Sequence, residues 1–429
     1  MQKKHLLIVL CLVALSLTSG FASGEKDQAA TITMWTGYAE TLPVFQAAAA
    51  DYSKEHPNVK FEFSNFTLRE EEQKLQIAMS AGTPPDMSDL SSQLTQRNAA
   101  QAFLDPVPSS YSSWLKQNWE QVYLDAMSYN GKPYGIPSIQ GFQLLYYNLD
   151  DYKAAGITKP PATLNELMEN ARKLTKYDAN GKVTHSGISL RLSGQGSGIA
   201  EKWEIFLFAN GGSVLEPTGP GKWKAGFNNE AGYVALNFYL NALYKHKVDS
   251  FDVLHDEAAF TGGVTSQFNR ETYIIGSMKK NAPTRTYGIT QAVGDTRRGT
   301  NLNVGVLVVP AAAKNRELAW DFIRFASGDK YAVQMMRDVG WTVSKKGVDY
   351  SSVYAVEPHF KQALDRPKGF ELRPAQAAVS WAEVFTNLAS ALTVAYTDPS
   401  LMDNKPKIMA WLQAQADAAN KVLQKNNEF

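Results

Sequence analysis

The fold is decided by residues 31–63, which read TITMWTGYAETLPVFQAAAADYSKEHPNVKFEF. Apolar and polar residues alternate over Thr31–Trp35 and again over Val59–Phe63, as they do in β-strands. Between these segments the apolar residues fall at helical spacing, and Pro43 lies in the first helical turn, where proline is tolerated. The order strand, helix, strand predicts a crossover unit, and therefore a mostly parallel sheet with helices on its faces.

The same alternation of helix and strand recurs further along the chain. A second helix is predicted over Glu70–Ala81, and Thr163–Glu166 reads as a capping box at the start of another. Asn303–Val309 is a continuous apolar run, which is typical of a strand buried on both faces. A helix follows from Asn315, and residues 374–429 are rich in helical patterns without a strand signal.

Length and charge narrow the class of protein. The 429 residues exceed what one hydrophobic core usually organises, and there is no long Pro/Ser/Gly-rich linker, so we expect two lobes joined by short crossings. The chain has 43 Lys and Arg against 42 Asp and Glu, and this balance gives no basic surface for nucleic acid or an anionic membrane. We therefore expect no nucleic-acid partner.

The N-terminus has the pattern of a cleaved secretory signal over residues 1–22. Lys3 and Lys4 precede an apolar run over Leu6–Leu17, and small residues follow it. This run is too short to span a bilayer, and a buried N-terminal helix is the alternative. Cys11, the one cysteine, lies within the run without small residues before it, which disfavours a lipid anchor. We expect an extracytoplasmic, periplasmic protein without a thiol.

The sequence offers little for catalysis, metals or cofactors. None of the six histidines pairs with another at metal-ligand spacing, and there is neither a G-x-S-x-G elbow nor a Walker loop. The segment Ser193–Gly198 lacks the third glycine of a dinucleotide loop and is interpreted as a flexible connection. We therefore predict no enzyme, no cofactor and no metal. A pair of carboxylates for glycoside hydrolysis would not be visible in the sequence.

Aromatic residues stand out where predicted strands and helices end. Trp35 and Tyr38 flank the end of the first strand, and open α/β sheets bind ligands beside the carboxyl ends of their strands. Trp341 lies in a turn, and Trp381 opens the helical tail. An indole presents a flat apolar face that matches the C–H face of a pyranose ring. These residues, with Trp203, predict a sugar site, and packing in the core is the alternative for each.

Short motifs in a fixed order carry a resemblance to a known family. The most specific is Gly131–Pro137, which reads GKPYGIP. The others, in chain order, are Ile32–Trp35, His56–Phe61, Gly82–Asp86, Tyr146–Asn148, Ala155–Ile157, Pro160–Thr163, Ala209–Gly212, Lys314–Asn315 and Ala319–Ile323. The series resembles the family 1 extracellular solute-binding proteins of ABC importers, in the maltose and multiple-sugar branch.

This resemblance implies a receptor that closes two α/β lobes on a ligand and then docks on a membrane permease. The expected fold is the two-lobed periplasmic-binding-protein fold, each lobe a mostly parallel sheet flanked by helices, with a helical C-terminal tail. The N-terminal lobe is expected over 31–139 and 284–350, and the C-terminal lobe over 140–283 and 351–429. The expected partners of this monomer are a mono- or oligosaccharide and an ABC transporter permease.

The resemblance also indicates which residues would contact the ligand. The loop after the first strand supplies Trp35, Tyr38 and Glu40, the loop after Pro85-Asp86 supplies Asp89 and Gln93, and the aromatic residue of the helical tail is Trp381. The complete predicted ligand site is Trp35, Tyr38, Glu40, Asp89, Gln93, Gln140, Trp203, Asn303, Trp341 and Trp381. The chain departs from the family at Gly276–Lys280, where a tryptophan is often found, so the stacking surface is expected to have moved.

Two alternatives to a sugar receptor stay open at this point. A receptor of the same fold could bind a non-sugar solute, and an anionic solute would need convergent Arg or Lys, for which Arg69, Arg191, Arg297 and Arg298 are candidates. A secreted carbohydrate-processing enzyme is the second alternative. Turnover of a glycan would distinguish the enzyme from a receptor that releases its ligand unchanged.

Overall fold

A computed structural model describes residues 30–429, so the predicted signal over 1–22 and Cys11 lie outside the described residues. The strands are β1 (Ala30–Thr36), β2 (Val59–Asn65), β3 (Met87–Ser91), β4 (Ser128–Tyr129), β5 (Lys132–Pro133), β6 (Ile136–Phe142), β7 (Leu144–Asn148), β8 (Lys176–Tyr177), β9 (Val183–His185), β10 (Leu215–Gly219), β11 (Lys222–Ala225), β12 (Gln267–Arg270), β13 (Tyr287–Gln291), β14 (Gly299–Val308) and β15 (Glu371–Pro374).

The α-helices are α1 (Leu42–Glu55), α2 (Leu68–Ser80), α3 (Ser92–Ala100), α4 (Ser112–Asn118), α5 (Gln121–Ala126), α6 (Leu149–Ala154), α7 (Leu164–Leu174), α8 (Gly198–Ala209), α9 (Glu230–Leu240), α10 (Asp256–Gly262), α11 (Ile274–Asn281), α12 (Arg316–Ala326), α13 (Asp329–Gln334), α14 (Ser351–Val356), α15 (His359–Leu364), α16 (Trp381–Ala395) and α17 (Lys405–Lys425). None of the helices within residues 30–429 is both long enough and apolar enough to cross a membrane.

The first sheet confirms the predicted crossover unit. Strand β1 pairs in parallel with β2 on one side and with β3 on the other. Strand β14 runs antiparallel to both β3 and β6, and its first residues pair in parallel with β15. The carboxyl ends of β1 and β3 therefore meet at one edge of the sheet, and this edge positions the loops that follow them.

Helix α1 forms where the sequence predicts it, because its apolar residues fall on one face. Val44, Phe45, Ala48, Ala49 and Tyr52 are buried, and the proline lies in the first turn. This face packs on helix α12 and strand β2. The burial of these side chains fixes the helix against the sheet and so sets the direction in which the preceding loop leaves β1.

The predicted capping box at the start of α7 forms in a shifted version. The Thr163 hydroxyl accepts a hydrogen bond from the Glu166 N–H at 3.1 Å, as expected. The Glu166 carboxylate, however, accepts from the N–H of Ala162 at 2.7 Å, one residue before the cap. The complete capping box is found on α2 instead, between Thr67 and Glu70.

The second sheet differs in strand direction from the first. Strand β7 lies between β12 and β13 and runs antiparallel to both. Parallel pairing occurs at isolated bridges, which join Ser186 to Thr265 and Ser189 to Phe268. The predicted α/β class is confirmed. In this second sheet, however, the named strands are antiparallel, and parallel pairing is limited to the two isolated bridges.

Two hydrophobic cores divide the described residues. One packs against the first sheet and includes Met34, Phe45 and Val306. The other lies among α8, α9, α16 and α17 and includes Leu388 and Leu412. Two separate cores agree with two lobes, and the residues at which one lobe passes into the other stay a prediction.

Candidate functional site

A cleft of about 1050 Å³ lies between elements of the two cores. One side, here called the first wall, is formed by residues 38–40 and 67–98. The opposite side, the second wall, is formed by residues 191–201, 270–273 and 381–386. Residues of β6 and β14 and the ring of Trp341 complete the lining. The cleft thus opens at the carboxyl ends of β1 and β3, where open α/β sheets usually bind ligands.

The loop after β1 brings Tyr38 and Glu40 to the first wall, and Asp89 holds this loop in place. One oxygen of the Asp89 carboxylate accepts from the Gly37 N–H at 3.0 Å, and the other accepts from the Thr36 hydroxyl. Asp89 is buried and does not line the cleft, and burial raises its pKa to about 7. The predicted ligand contact is therefore corrected: Asp89 supports the loop that carries the contacts.

Trp341 is fixed beside this loop by a hydrogen bond and two aromatic contacts. Its indole N–H donates to Oε1 of Glu40 at 2.9 Å. The ring lies edge-on to Tyr38, with 6.2 Å between ring centroids, and 5.1 Å from the ring of Tyr273. Although Trp341 is only 8% exposed, it lines the cleft. Because its polar atom is satisfied within the protein, the ring orientation is set before any ligand enters.

Trp381 lines the second wall at the start of α16. Its ring stacks on Phe385 with 4.1 Å between centroids, and its N–H donates to Oε1 of Gln376 at 3.2 Å. It is 6% exposed, and Ala382 and Thr386 line the cleft beside it. Both indoles therefore line one cleft: Trp381 belongs to the second wall, and Trp341 lies where the two walls meet, in contact with Tyr38 and Tyr273.

Amide side chains supply most of the neutral polar groups of the first wall. Gln93, at the start of α3, donates to Oδ1 of Asn303 on β14 at 3.3 Å, and both residues line the cleft as predicted site residues. The sequence analysis missed Gln73, Gln76 and Asn98, which also line it. The sequence shows that α2 and α3 each have a polar face, but it does not show that these faces border a cleft, because the cleft is formed by the tertiary fold.

Three further predicted residues, Trp35, Gln140 and Trp203, do not line the cleft. Trp35 packs edge-on to Phe66, and Gln140 is buried, where it accepts a hydrogen bond from the Tyr123 hydroxyl. Trp203 is completely buried in the second core. The structure thus places these three side chains in contact with other protein side chains and outside the lining of the cleft.

The second wall contains a buried charge network that the sequence analysis did not find. Glu271 lies 3.3 Å from the Lys202 ammonium and 3.3 Å from a guanidinium nitrogen of Arg270. Burial alone would raise the pKa of Glu271, but the two cations outweigh it and lower this pKa to about 2. Burial lowers the pKa of Lys202 to about 8, against the opposing effect of Glu271. Glu271 is therefore ionised at neutral pH.

Most of the cationic groups that line the cleft already have carboxylate partners. Arg69 lies 2.7 Å from Glu72, whereas Arg270 and Arg191 lie 3.2 and 3.7 Å from Asp256. The charged residues of the lining are Arg69, Arg97, Arg191, Arg270, Glu40, Glu72, Glu201 and Glu271, so their formal charges cancel. Such a lining can bind hydroxyl groups through polar side chains without attracting a strongly charged ligand.

The glycine-rich segment that the sequence analysis interpreted as a flexible connection wraps around these charges. The glycines of this segment lie against arginine side chains, and a Cβ atom at Gly198 would lie 2.7 Å from the Arg191 guanidinium carbon. A Cβ atom at Gly196 would lie 3.2 Å from Nη2 of Arg69, which belongs to the first wall. The segment thus brings the two walls close together. Within residues 30–429 no three His, Cys, Asp or Glu side chains cluster as a metal site.

Comparison with known proteins adds a family and a fold. The model of the bacterial extracellular solute-binding protein family matches residues 38–333. The diacetylchitobiose-binding protein DasA of Streptomyces coelicolor is 23% identical over 355 residues, which are 77% of this chain and 79% of that protein.

Solved structures share the fold over most of the chain. An ABC transporter solute-binding protein of Thermotoga lettingae, bound to α-D-tagatose, superposes with a TM-score of 0.76 at 20% identity and covers 92% of this chain and 99% of its own. UgpB of Mycobacterium tuberculosis, bound to glycerophosphocholine, superposes with a TM-score of 0.78 at 16% identity over the same shares. At these identities the likeness shows the fold alone.

Proposed function

The chain belongs to the bacterial extracellular solute-binding protein family, and we propose that it captures a carbohydrate in the cleft and delivers it to an ABC transporter permease. The carrying observation is that two oriented indoles, Trp341 and Trp381, line one cleft among amide side chains. Indole faces bind the apolar face of a sugar ring, and amides exchange hydrogen bonds with its hydroxyl groups.

The charge balance of the lining supports a neutral ligand. A solute with a phosphate or carboxylate group would need arginine or lysine side chains free to form charge-assisted hydrogen bonds. Arg69, Arg191 and Arg270 each lie beside a carboxylate of the protein, so binding an anion would compete with these pairs. Hydroxyl groups make no such demand, and an uncharged mono- or oligosaccharide therefore fits the lining better.

One observation favours a second candidate, which is a receptor for an anionic solute such as a glycerol phosphodiester. Arg97 lines the cleft and donates to Oε1 of Gln76 at 3.2 Å, and among the described residues no carboxylate forms a salt bridge with it. A phosphate group could approach this guanidinium. The likeness in fold to UgpB, whose structure holds glycerophosphocholine, makes the candidate worth an explicit test.

The remaining parts of the proposal follow from the family and the sequence. Proteins of this family bind solutes outside the cytoplasm, which agrees with the signal pattern predicted over residues 1–22. Binding and release require no covalent step, so we propose a receptor rather than an enzyme, acting as a monomer that docks on its permease. Closure of the two walls on the ligand would provide the docked form.

A thermal-shift screen tests the proposal. Purified chain without its predicted signal is heated with neutral mono- and oligosaccharides, with uronic acids and with glycerol phosphodiesters. A ligand that binds the native state adds to the free energy of unfolding, by about 2.7 kcal/mol when its concentration is 100 times Kd, and this stabilisation raises Tm. We expect the rise with neutral sugars, and chromatography should recover the sugar unchanged.

The screen has two outcomes that contradict the proposal. A rise with glycerol phosphodiesters or uronic acids alone would establish the anionic receptor. Cleavage or modification of the glycan by the purified chain, abolished in a heat-inactivated sample, would establish an enzyme.

A further inference from the structure

Behind Trp381, a chain of buried hydrogen bonds leads away from the cleft. The indole N–H donates to Oε1 of Gln376 at 3.2 Å, and Nε2 of the same amide donates to Oε1 of Glu204 at 3.1 Å. All three side chains are at least nine-tenths buried. The Gln376 side chain therefore accepts a hydrogen bond from the indole through its oxygen and donates one to the Glu204 carboxylate through its NH2 group.

The second oxygen of Glu204 connects the chain to the first sheet. Oε2 accepts from Nδ2 of Asn301 at 3.0 Å, and Asn301 belongs to β14. Further along the same strand, Asn303, Val304 and Gly305 line the cleft, and residues 305–308 pair with β3. The ring of Trp381 is therefore joined, through two side chains, to the strand that completes the lining of the cleft.

We propose that Gln376 and Glu204 are positioning residues, which hold the Trp381 ring at a fixed angle to β14 so that the ring is oriented before the sugar binds. This inference rests on the proposed function, because it requires that Trp381 contacts the ligand. The stack on Phe385 fixes the plane of the ring, and the hydrogen bond fixes its rotation within that plane. Orientation before binding raises affinity, since less side-chain freedom is lost in the complex.

The chemistry of each group fits this role. An acid in place of Gln376 would set a second carboxylate against Glu204, and an apolar residue would leave the buried indole N–H without an acceptor. Glu204 accepts one hydrogen bond from an amide at each of its two carboxylate oxygens. A glutamine in its place would have only one oxygen, and its NH2 group would face a donor. Burial raises the pKa of Glu204 to about 7, although Arg373 opposes this rise in part.

A double-mutant cycle tests whether Gln376 acts through the indole N–H. The variants are Gln376→Leu, Trp381→Phe and both together, and the probe is the sugar that gives the largest Tm rise in the screen. Trp381→Phe keeps an aromatic ring and removes the N–H. We expect Gln376→Leu to weaken binding about tenfold in the wild-type background and by less than about twofold in the Trp381→Phe background.

Two further variants keep the test decisive. If Gln376→Leu does not fold, Gln376→Asn retains the amide and is one methylene too short to reach the indole. Glu204→Gln should weaken binding in the same background-dependent manner, since its amide nitrogen faces a donor. Gln267→Leu is the matched control: this buried glutamine bonds with Tyr152 and Gly187 away from the cleft, so it should lower Tm without changing affinity.

The possible failures are distinct. An equal loss of affinity in both backgrounds, or no loss in either, overturns the positioning role and leaves sugar binding intact. Unchanged affinity in Trp381→Ala overturns it as well, because the ring would then not contact the ligand. Failure of every sugar to raise Tm overturns the proposed function itself, and the positioning role with it.

Discussion

Two buried glutamates, Glu71 and Glu271, show how differently the molecule treats the same side chain. Glu71 lies on α2, where one oxygen accepts from the Ser88 hydroxyl at 2.6 Å and the other has no partner among the described residues. Burial, with added repulsion from Asp89, raises its pKa to about 8. Glu271, on the second wall, has a pKa of about 2, because two cations outweigh its burial.

This contrast shows what each side of the cleft can offer a ligand. Behind the first wall, the buried Glu71 carboxyl group has no cationic partner among the described residues. The surface of this wall consists largely of amide side chains and ion pairs. On the second wall the charges are buried and bound to one another. Three of the four arginines that line the cleft are paired with carboxylates, and the formal charges of the lining cancel, which suits a neutral, hydroxyl-rich solute.

The largest expected effect comes from breaking the second-wall network. Glu271→Ala leaves the buried Lys202 ammonium without its carboxylate, so the free energy of unfolding should fall by about 3–5 kcal/mol in urea denaturation. Adding Lys202→Met should recover most of this loss. Glu230→Ala, which removes an exposed partner of Lys405, is the control and should cost less than about 1 kcal/mol. If Glu271→Ala and Glu230→Ala lost the same free energy of unfolding, the Glu271 network would not be buried from solvent as described.

The second prediction sharpens the contrast through pH. The folded-state pKa of Glu71 is raised from 4.5 to about 8, so its contribution to stability is complete below pH 4.5 and is lost as pH rises through 8. Glu71→Gln mimics the protonated form and should match wild type at pH 4.5 but exceed it at pH 8, on the order of 3 kcal/mol.

Glu271→Gln provides the opposite sign for comparison. The folded-state pKa of Glu271 is lowered to about 2, so its contribution is present above pH 4.5 and is lost as pH falls through 2. The stability difference between this variant and wild type should therefore shrink in acid. Parallel pH profiles for Glu71→Gln and wild type would contradict the assignment of a protonated Glu71.

The third prediction separates the tryptophan of the cleft from that of the core. Trp381→Ala removes contact area from the ligand and should weaken sugar binding by about 1–3 kcal/mol, measured by titration calorimetry. Trp203→Phe, in the second core, should lower Tm and leave affinity unchanged. A large fall in Tm with unchanged affinity in Trp381→Ala would assign that ring to the core as well.

The smallest effect concerns the approach of the two walls at the glycine-rich segment. Gly196→Ala places a Cβ atom beside Arg69, whereas Gly156→Ala, at nearly the same φ (+69° against +68°), meets nothing within 4 Å. Both variants should lose about 1 kcal/mol from the strained backbone. The additional loss in Gly196→Ala, a few tenths of a kcal/mol, measures the contact with Arg69, and identical losses would show that the walls do not meet there.

The sequence predicted the elements that are set by local patterns. Helix α1 and strands β1 and β2 follow directly from apolar spacing, and a helix begins at Trp381, as the break before this residue predicts. Trp203 does not line the cleft, because α8 turns this side chain into the second core, whereas Glu201 of the same helix lines the cleft.

Long-range contacts account for the rest. Lys202 and Glu271 are 69 positions apart, and no local pattern in either segment predicts that they meet. The same holds for strand direction in the second sheet, since β7 and β12 are joined through more than a hundred residues. Asp89, expected in a loop after Pro85-Asp86, lies within strand β3, and its carboxylate accepts from the Gly37 N–H and the Thr36 hydroxyl.

A crystal structure with the sugar that gives the largest Tm rise tests the central claim most directly. The account predicts an unmodified sugar in the cleft, in contact with both Trp341 and Trp381 and with amides of the first wall. A sugar bound elsewhere, or one that touches a single wall while both indoles stay covered by protein, would contradict it.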